Sequence, residues 1–198
     1  MASASAKLTR DDLYSLEKYA EVRPEFRAMV MAHKRDRKLE VGPNVTLHFE
    51  DRLVMQYQVQ EMLRAERIYE AAGIQEELDA YNPLIPDGRN WKATMMIEFD
   101  DPAERKVQLA KLIGVERKTY VQIGDHERVY PIANEDLERE TEEKTSSVHF
   151  LRFELTDAMA ADLKGGAKLV AGIDHEHYRH VVDPVPDNIR NSLIGDLD

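Results

Sequence analysis

The sequence predicts an α+β fold, a mainly antiparallel sheet packed by helices, with an N-terminal helical segment. Three observations carry this. Short runs of alternating apolar and polar residues are joined by turn-forming residues, as in meanders and hairpins. Helical patterns with start and stop signals stand before and between those runs, without the regular strand–helix alternation of a parallel sheet. And 42% hydrophobic residues supply a core, while 33% charged residues supply a well-solvated surface.

The elements follow in order. "TRDD" opens a helix with Thr9 as N-cap and acids in its first turn. Leu13, Leu16 and either Tyr19 or Ala20 give that helix an apolar side, and Pro24 is expected to separate it from a second helix bearing Phe26, Met29 and Val30. "HKRDRK", His33 to Lys38, reads as a solvated helix end. "NVTLHFED" alternates Val45, Leu47 and Phe49 against polar neighbours as a strand. A long helix is expected from about Leu53 to Ala72, stopped by Gly73.

"DAYNPLIPDGRN" carries turn chemistry and reads as a loop. "WKATMMIEF" is a strand, and "DDPAERKVQLAKLIG" has the proline, acids, lysines and final glycine of a complete helix. "KTYVQIGDHERVYPI" is a hairpin turning at Gly124-Asp125. "ANEDLERETEEKT" is an acidic connector with some helical character. "SSVHFLRFEL" reads as a central strand covered on both sides, "TDAMAADLKGG" as a helix capped by Thr156, and "AKLVAGI" as the last strand. One domain over 1–198 is expected: a helical segment 1–40, an α+β core 44–175 and a tail 176–198.

Composition excludes several functions. A net charge of −11 without a long basic block disfavours nucleic acid as a partner. No run approaches the ~20 apolar residues of a membrane span, and "MASASAKLTRDD" lacks the apolar centre of a secretory signal, so a cytoplasmic location is expected. The absence of cysteine rules out disulfides, a thiol nucleophile and a cysteine-ligated iron–sulfur cluster.

The candidate site residues are polar groups set where apolar ones belong. On the long helix, Tyr57, Glu61, Arg64 and Ile68 form one stripe, and Met55, Val59, Met62, Glu66 and Tyr69 its neighbour. Burying a charge costs several kcal/mol unless it is paired or binds something. Glu61 and Arg64 therefore either pair along the helix or face a polar pocket. In the β-rich segments, Glu98, His149 and Arg152 raise the same question. Convergence of Glu61, Glu98 and His149 would make a carboxylate–imidazole site suited to iron, manganese or zinc. "DHEHYRH" adds His175, His177 and His180 as a second set of potential ligands. Tyr81, Asn82, Asp87 and Asn90 either close over a pocket or pack a connector. P-loop, dinucleotide, nucleophile-elbow and H-E-x-x-H motifs are absent.

Four stretches taken together resemble an uncharacterised bacterial family: "LTRDDLYSLEKYAEVRPEFRAMVMAHKRDRK", "LHFEDRLVMQYQVQEMLRAERIYE", "IQEELDAYNPLIPDGRNWKATMMIEF" and "EEKTSSVHFLRFEL". The resemblance spans about Leu8 to Asn191. It implies genes often encoded beside rubrerythrin-like di-iron proteins and iron–sulfur oxidoreductases of the heterodisulfide-reductase type. The expected role is then an accessory or scaffold protein of a bacterial redox or oxidative-stress system, with such an enzyme as partner and no iron–sulfur cluster of its own. The alternatives are a metal- or cofactor-dependent enzyme with a Glu/His/Arg pocket, and a small-anion sensor using the arginines as a clamp.

Overall fold

A computed structural model describes residues 6–141 and 143–198. It confirms the α+β class, with antiparallel strand pairing in two sheets. The N-terminal segment makes a 3-10 turn at Arg10–Asp12, boxed by Thr9 and Asp12, and then the helix α1 (Leu16–Arg35), capped by Ser15.

Pro24 lies inside α1 and does not divide it. Both Pro24 and Ala20, whose carbonyl loses its helical donor, are exposed, so water can satisfy the freed oxygen. Tyr19 and Phe26, on either side of the proline, touch residues of the following long helix and hold one continuous rod.

Strands β1 (Lys38–Glu40) and β2 (Val45–Glu50) form a hairpin. The expected long helix is two helices, α2 (Arg52–Glu66) and α3 (Ala71–Tyr81). Arg67 adopts the left-handed conformation (φ 56°), and the Ile68 N–H returns to the Leu63 carbonyl at 2.9 Å. This reversal packs Ile68 and Ile74 onto the cluster of Leu8, Val54, Val59, Leu63, Leu78 and Ile85, whereas a straight helix would carry them away from it. Gly73 is inside α3. The next segment is a packed connector: Asn82 binds both backbone groups of Leu8, and Asn90 accepts from the Asp87 N–H.

β3 (Asn90–Ile97) pairs with β2 on one side and β6 (Val148–Glu154) on the other. The larger sheet has the order β1-β2-β3-β6-β5, where β5 is only Ile132–Ala133. β6 buries His149, Leu151 and Phe153, but its other face (Val148, Phe150, Arg152) is only half-buried, so it is not covered on both sides. α4 (Pro102–Lys111) and a 3-10 turn (Val115–Lys118) lead into β4 (Thr119–Ile123). The hairpin at Gly124-Asp125 closes through one residue pair, Val121–Val129. The long partner of β4 is β7 (Leu169–His175), reached after α5 (Asp157–Lys164). No helix forms among the described residues of the acidic connector, which consists of bends and a bridge.

β7 is not the last strand. The segment expected as a tail forms β8 (Tyr178–Val182), which pairs with β7, and α6 (Asp187–Ile194). α6 is docked by the Trp91 indole N–H, which donates to the Leu193 carbonyl at 2.9 Å. One apolar cluster includes residues of both sheets and of α6, among them Leu47, Trp91, Phe153, Ile123, Ile173 and Leu193. Among the described residues, no helix is long and apolar enough to cross a membrane.

Candidate functional site

The polar residues singled out in the sequence do not converge. Glu61 faces α1, where the Arg23 guanidinium grips it twice (Nε–Oε1 2.7 Å, Nη2–Oε2 2.8 Å) and the Tyr19 hydroxyl donates at 2.6 Å. The Arg23 bonds hold the Glu61 carboxyl at about 2, well below its ordinary value, while burial and the neighbouring carboxylate push the Tyr19 hydroxyl up. Arg64 and Glu66 are exposed, and the expected Glu61–Arg64 pair gives way to the Glu61–Arg23 pair between helices. Tyr57 is buried against the Phe26 ring. Glu98, just past β3, is exposed. Arg152 is neutralised by a two-pronged bond to Glu135 (2.8 and 2.7 Å) and a third contact to Glu154.

Of the tail histidines, His175 is committed in the same way, while His177 is exposed. His175 donates from Nε2 to the Ile113 carbonyl (3.0 Å) and accepts the His177 N–H at Nδ1 (3.2 Å), leaving neither ring nitrogen for a ligand. The His180 ring packs on Tyr178. Among the described residues, no group of three or more His, Asp or Glu side chains is arranged to hold a metal ion.

Two polar clusters draw on residues that, apart from His149, the sequence reading did not single out. The first occupies a cleft of about 320 Å³ where α1, α2 and α6 meet. Arg37, expected on a solvated helix end, is 2% exposed. It donates to the Phe49 carbonyl (3.0 Å), the Glu50 carbonyl (3.1 Å), Ser192 Oγ (3.2 Å) and Asp196 Oδ2 (2.6 Å). Asp51 caps α2 through the Val54 N–H and meets His33 Nε2 at 2.5 Å and Arg37 Nε at 3.3 Å. Burial pushes the Asp51 carboxyl up, but His33, Arg37 and Val54 outweigh it and hold it below the ordinary value. Asp196 goes the other way: burial lifts it to about 6 despite Arg37.

The second cluster surrounds His149, which is fully buried on β6. A carbonyl only accepts, so the bond to Ser146 O (3.0 Å) makes Nε2 the donor; Nδ1 then accepts from the Asn134 amide (2.9 Å). Thr145 Oγ1 lies 3.0 Å from Nε2. Burial depresses the imidazole pKa, opposed by Glu116 and Glu140. Arg117 bridges these two carboxylates, Nη1 to Glu116 Oε1 (3.0 Å) and Nη2 to Glu140 Oε1 (2.8 Å). The other oxygen of each, and Arg139 Nε, are buried without a hydrogen-bond partner among the described residues. Each such orphan costs about 1–3 kcal/mol. Their residues line a cleft of about 500 Å³ between the 3-10 turn and the segment Pro131 to Glu140.

Neither cluster has a short motif. Only the i, i+4 spacing of His33 and Arg37 and the "ED" ending β2 hinted at the first; Glu116 and Glu140 gave no sequence signal.

The model of the family described as "Protein of unknown function (DUF3501)" matches residues 7–197. The chain belongs to this family. A crystal structure described as a novel protein of unknown function from Burkholderia pseudomallei is similar to this DUF3501 member, with 50% identity and a TM-score of 0.91. The match covers 98% of this chain and 100% of that one. Comparison with curated proteins gives no match.

Proposed function

We propose that this DUF3501 member is a non-catalytic accessory or scaffold protein of a cytoplasmic bacterial redox system. The supporting observation is that the charges most suspect in the sequence are spent on one another. Glu61 is held by Arg23 and Tyr19, Arg152 by Glu135 and Glu154, and both ring nitrogens of His175 by backbone groups. Groups so neutralised orient elements; they do not present an acid, base or clamp to a substrate. The redox setting comes from the family resemblance, which implies a rubrerythrin-like or iron–sulfur enzyme as partner.

The test is peroxide turnover and iron content of the rubrerythrin-like protein from the same bacterium, with and without this chain. The expected result is a rise in turnover or iron retention that saturates at stoichiometric addition, with no turnover by the chain alone. No change in either quantity removes the redox role.

One observation favours the enzymatic alternative: the half-exposed His33 imidazole on its cleft, paired to Asp51, has the arrangement of an oriented general base. Under that reading His33→Gln abolishes a measurable turnover while leaving the fold intact. Under the accessory reading it leaves the effect on the partner unchanged.

A further inference from the structure

We propose that the cleft beside His149 binds an organic cation bearing N–H donors, an ammonium or guanidinium group, through Glu116 and Glu140. Five of the residues lining the cleft are acids and two are arginines, in a chain of net charge −11. An acidic lining alone would be a solvated surface; the second observation makes it a site. Glu116 is 1% exposed, borders the cleft, and keeps one carboxylate oxygen without a donor among the described residues. Glu140, half-buried beside it, also keeps one buried carboxylate oxygen without a donor among the described residues. Arg117 already satisfies the opposite oxygen of both. What remains is one unmet acceptor on each carboxylate, with the unmet donor Arg139 Nε beside them; a planar guanidinium serves two carboxylates at once, as Arg117 does.

The space also has the right scale. At about 500 Å³ the cleft falls in the range of small-molecule sites and far exceeds a bare ion. Pro131, Ala133 and the exposed Leu137 supply apolar wall for the carbon chain that carries such a group. The outer wall, from Asn134 to Glu140, has neither helix nor strand until the single bridge of Glu140 to Thr145, so it yields to an entering ligand more readily than a sheet would. The assignment goes beyond the accessory role: a free diamine and an arginine of a protein partner meet the cleft with the same chemistry.

The experiment is a titration of the isotope-labelled chain, followed by amide chemical shifts. The probes are agmatine, N-acetyl-arginine amide and, separately, MgCl2. The expected result is saturable one-site binding of agmatine or the blocked arginine. Shifts should be confined to residues around Glu116, Ala133, Glu140 and Thr145. Binding should weaken at least about tenfold in Glu140→Gln and Glu116→Gln and stay unchanged in Glu98→Gln. Mapping on the unaltered chain keeps the test decisive if a variant fails to fold. Agmatine alone binding identifies a free amine as the source; the blocked arginine binding as well identifies a partner's side chain. Three results overturn the proposal: no saturation at about 10 mM, shifts scattered over the surface and unaffected by Glu140→Gln, or the same shifts produced by Mg²⁺ alone.

Discussion

Replacing Arg37 with methionine removes a cation buried between β2, α2 and α6 while keeping much of its volume. The guanidinium donates to two backbone carbonyls, to Ser192 and to Asp196. Breaking a buried ion pair from one side costs about 3–5 kcal/mol when the remaining charge stays ionised. Asp196 offers an escape, because burial already lifts its pKa to about 6. A carboxyl with a raised folded-state pKa stabilises the fold at low pH and loses that contribution as pH rises through the folded value. Without Arg37 that value rises further, so Asp196 is neutral at pH 6 and the variant loses the Arg37 hydrogen bonds and its contact to Asp51, which His33 still pairs, about 2 kcal/mol. At pH 8 the unpaired charge must be borne and the loss reaches about 3–5 kcal/mol. Urea unfolding of both proteins at the two pH values measures the difference. A loss below about 1 kcal/mol at pH 8, or an equal loss at both, would refute the assignment of Arg37 as the charge that Asp196 depends on.

Glu61→Gln should cost about 2–3 kcal/mol at pH 7. The carboxyl lies at about 2 in the fold, so its contribution is present above the ordinary carboxylate range and fades as pH falls toward 2. Acid-unfolding curves of the two proteins should therefore converge at their low end. Gly42→Ala should destabilise by about 1–3 kcal/mol in urea. Gly42 sits at φ +77°, and a Cβ there would lie 2.5 Å from the His180 ring and 2.6 Å from the Tyr178 hydroxyl. Trp91→Phe removes the indole donor to the Leu193 carbonyl, which keeps only backbone N–H partners such as Asp196 at 3.2 Å. Faster hydrogen exchange across α6 than across α1 would report the loosened helix.

Individual elements were legible where the signal is local. Thr156 capping α5, Pro102 opening α4, and the alternation of Val45, Leu47 and Phe49 each specify backbone conformation within a few residues, and the structure agrees. Pro24 and Gly73 misled because their local meaning is conditional. A proline costs a helix most when the carbonyl it orphans is buried, and here the residue carrying it, Ala20, is exposed. Gly73 looked like a helix stop, but Arg67 ended the helix first so that Ile68 and Ile74 could return to the same core.

By itself, then, the sequence determined the fold class, the capped helices and alternating strands, and the lack of cysteine chemistry. Periodicity and capping act over one or two turns of chain and are written in neighbouring residues. Only the tertiary structure decided what the charges do. Arg37 meets Asp196 across 159 positions, Glu61 meets Arg23 across 38, and Glu116 and Glu140 are joined by Arg117 beneath a segment with no regular pattern. Whether a charged side chain is solvated, paired or left with an unmet hydrogen bond depends on which distant elements desolvate it, and no local spacing encodes that.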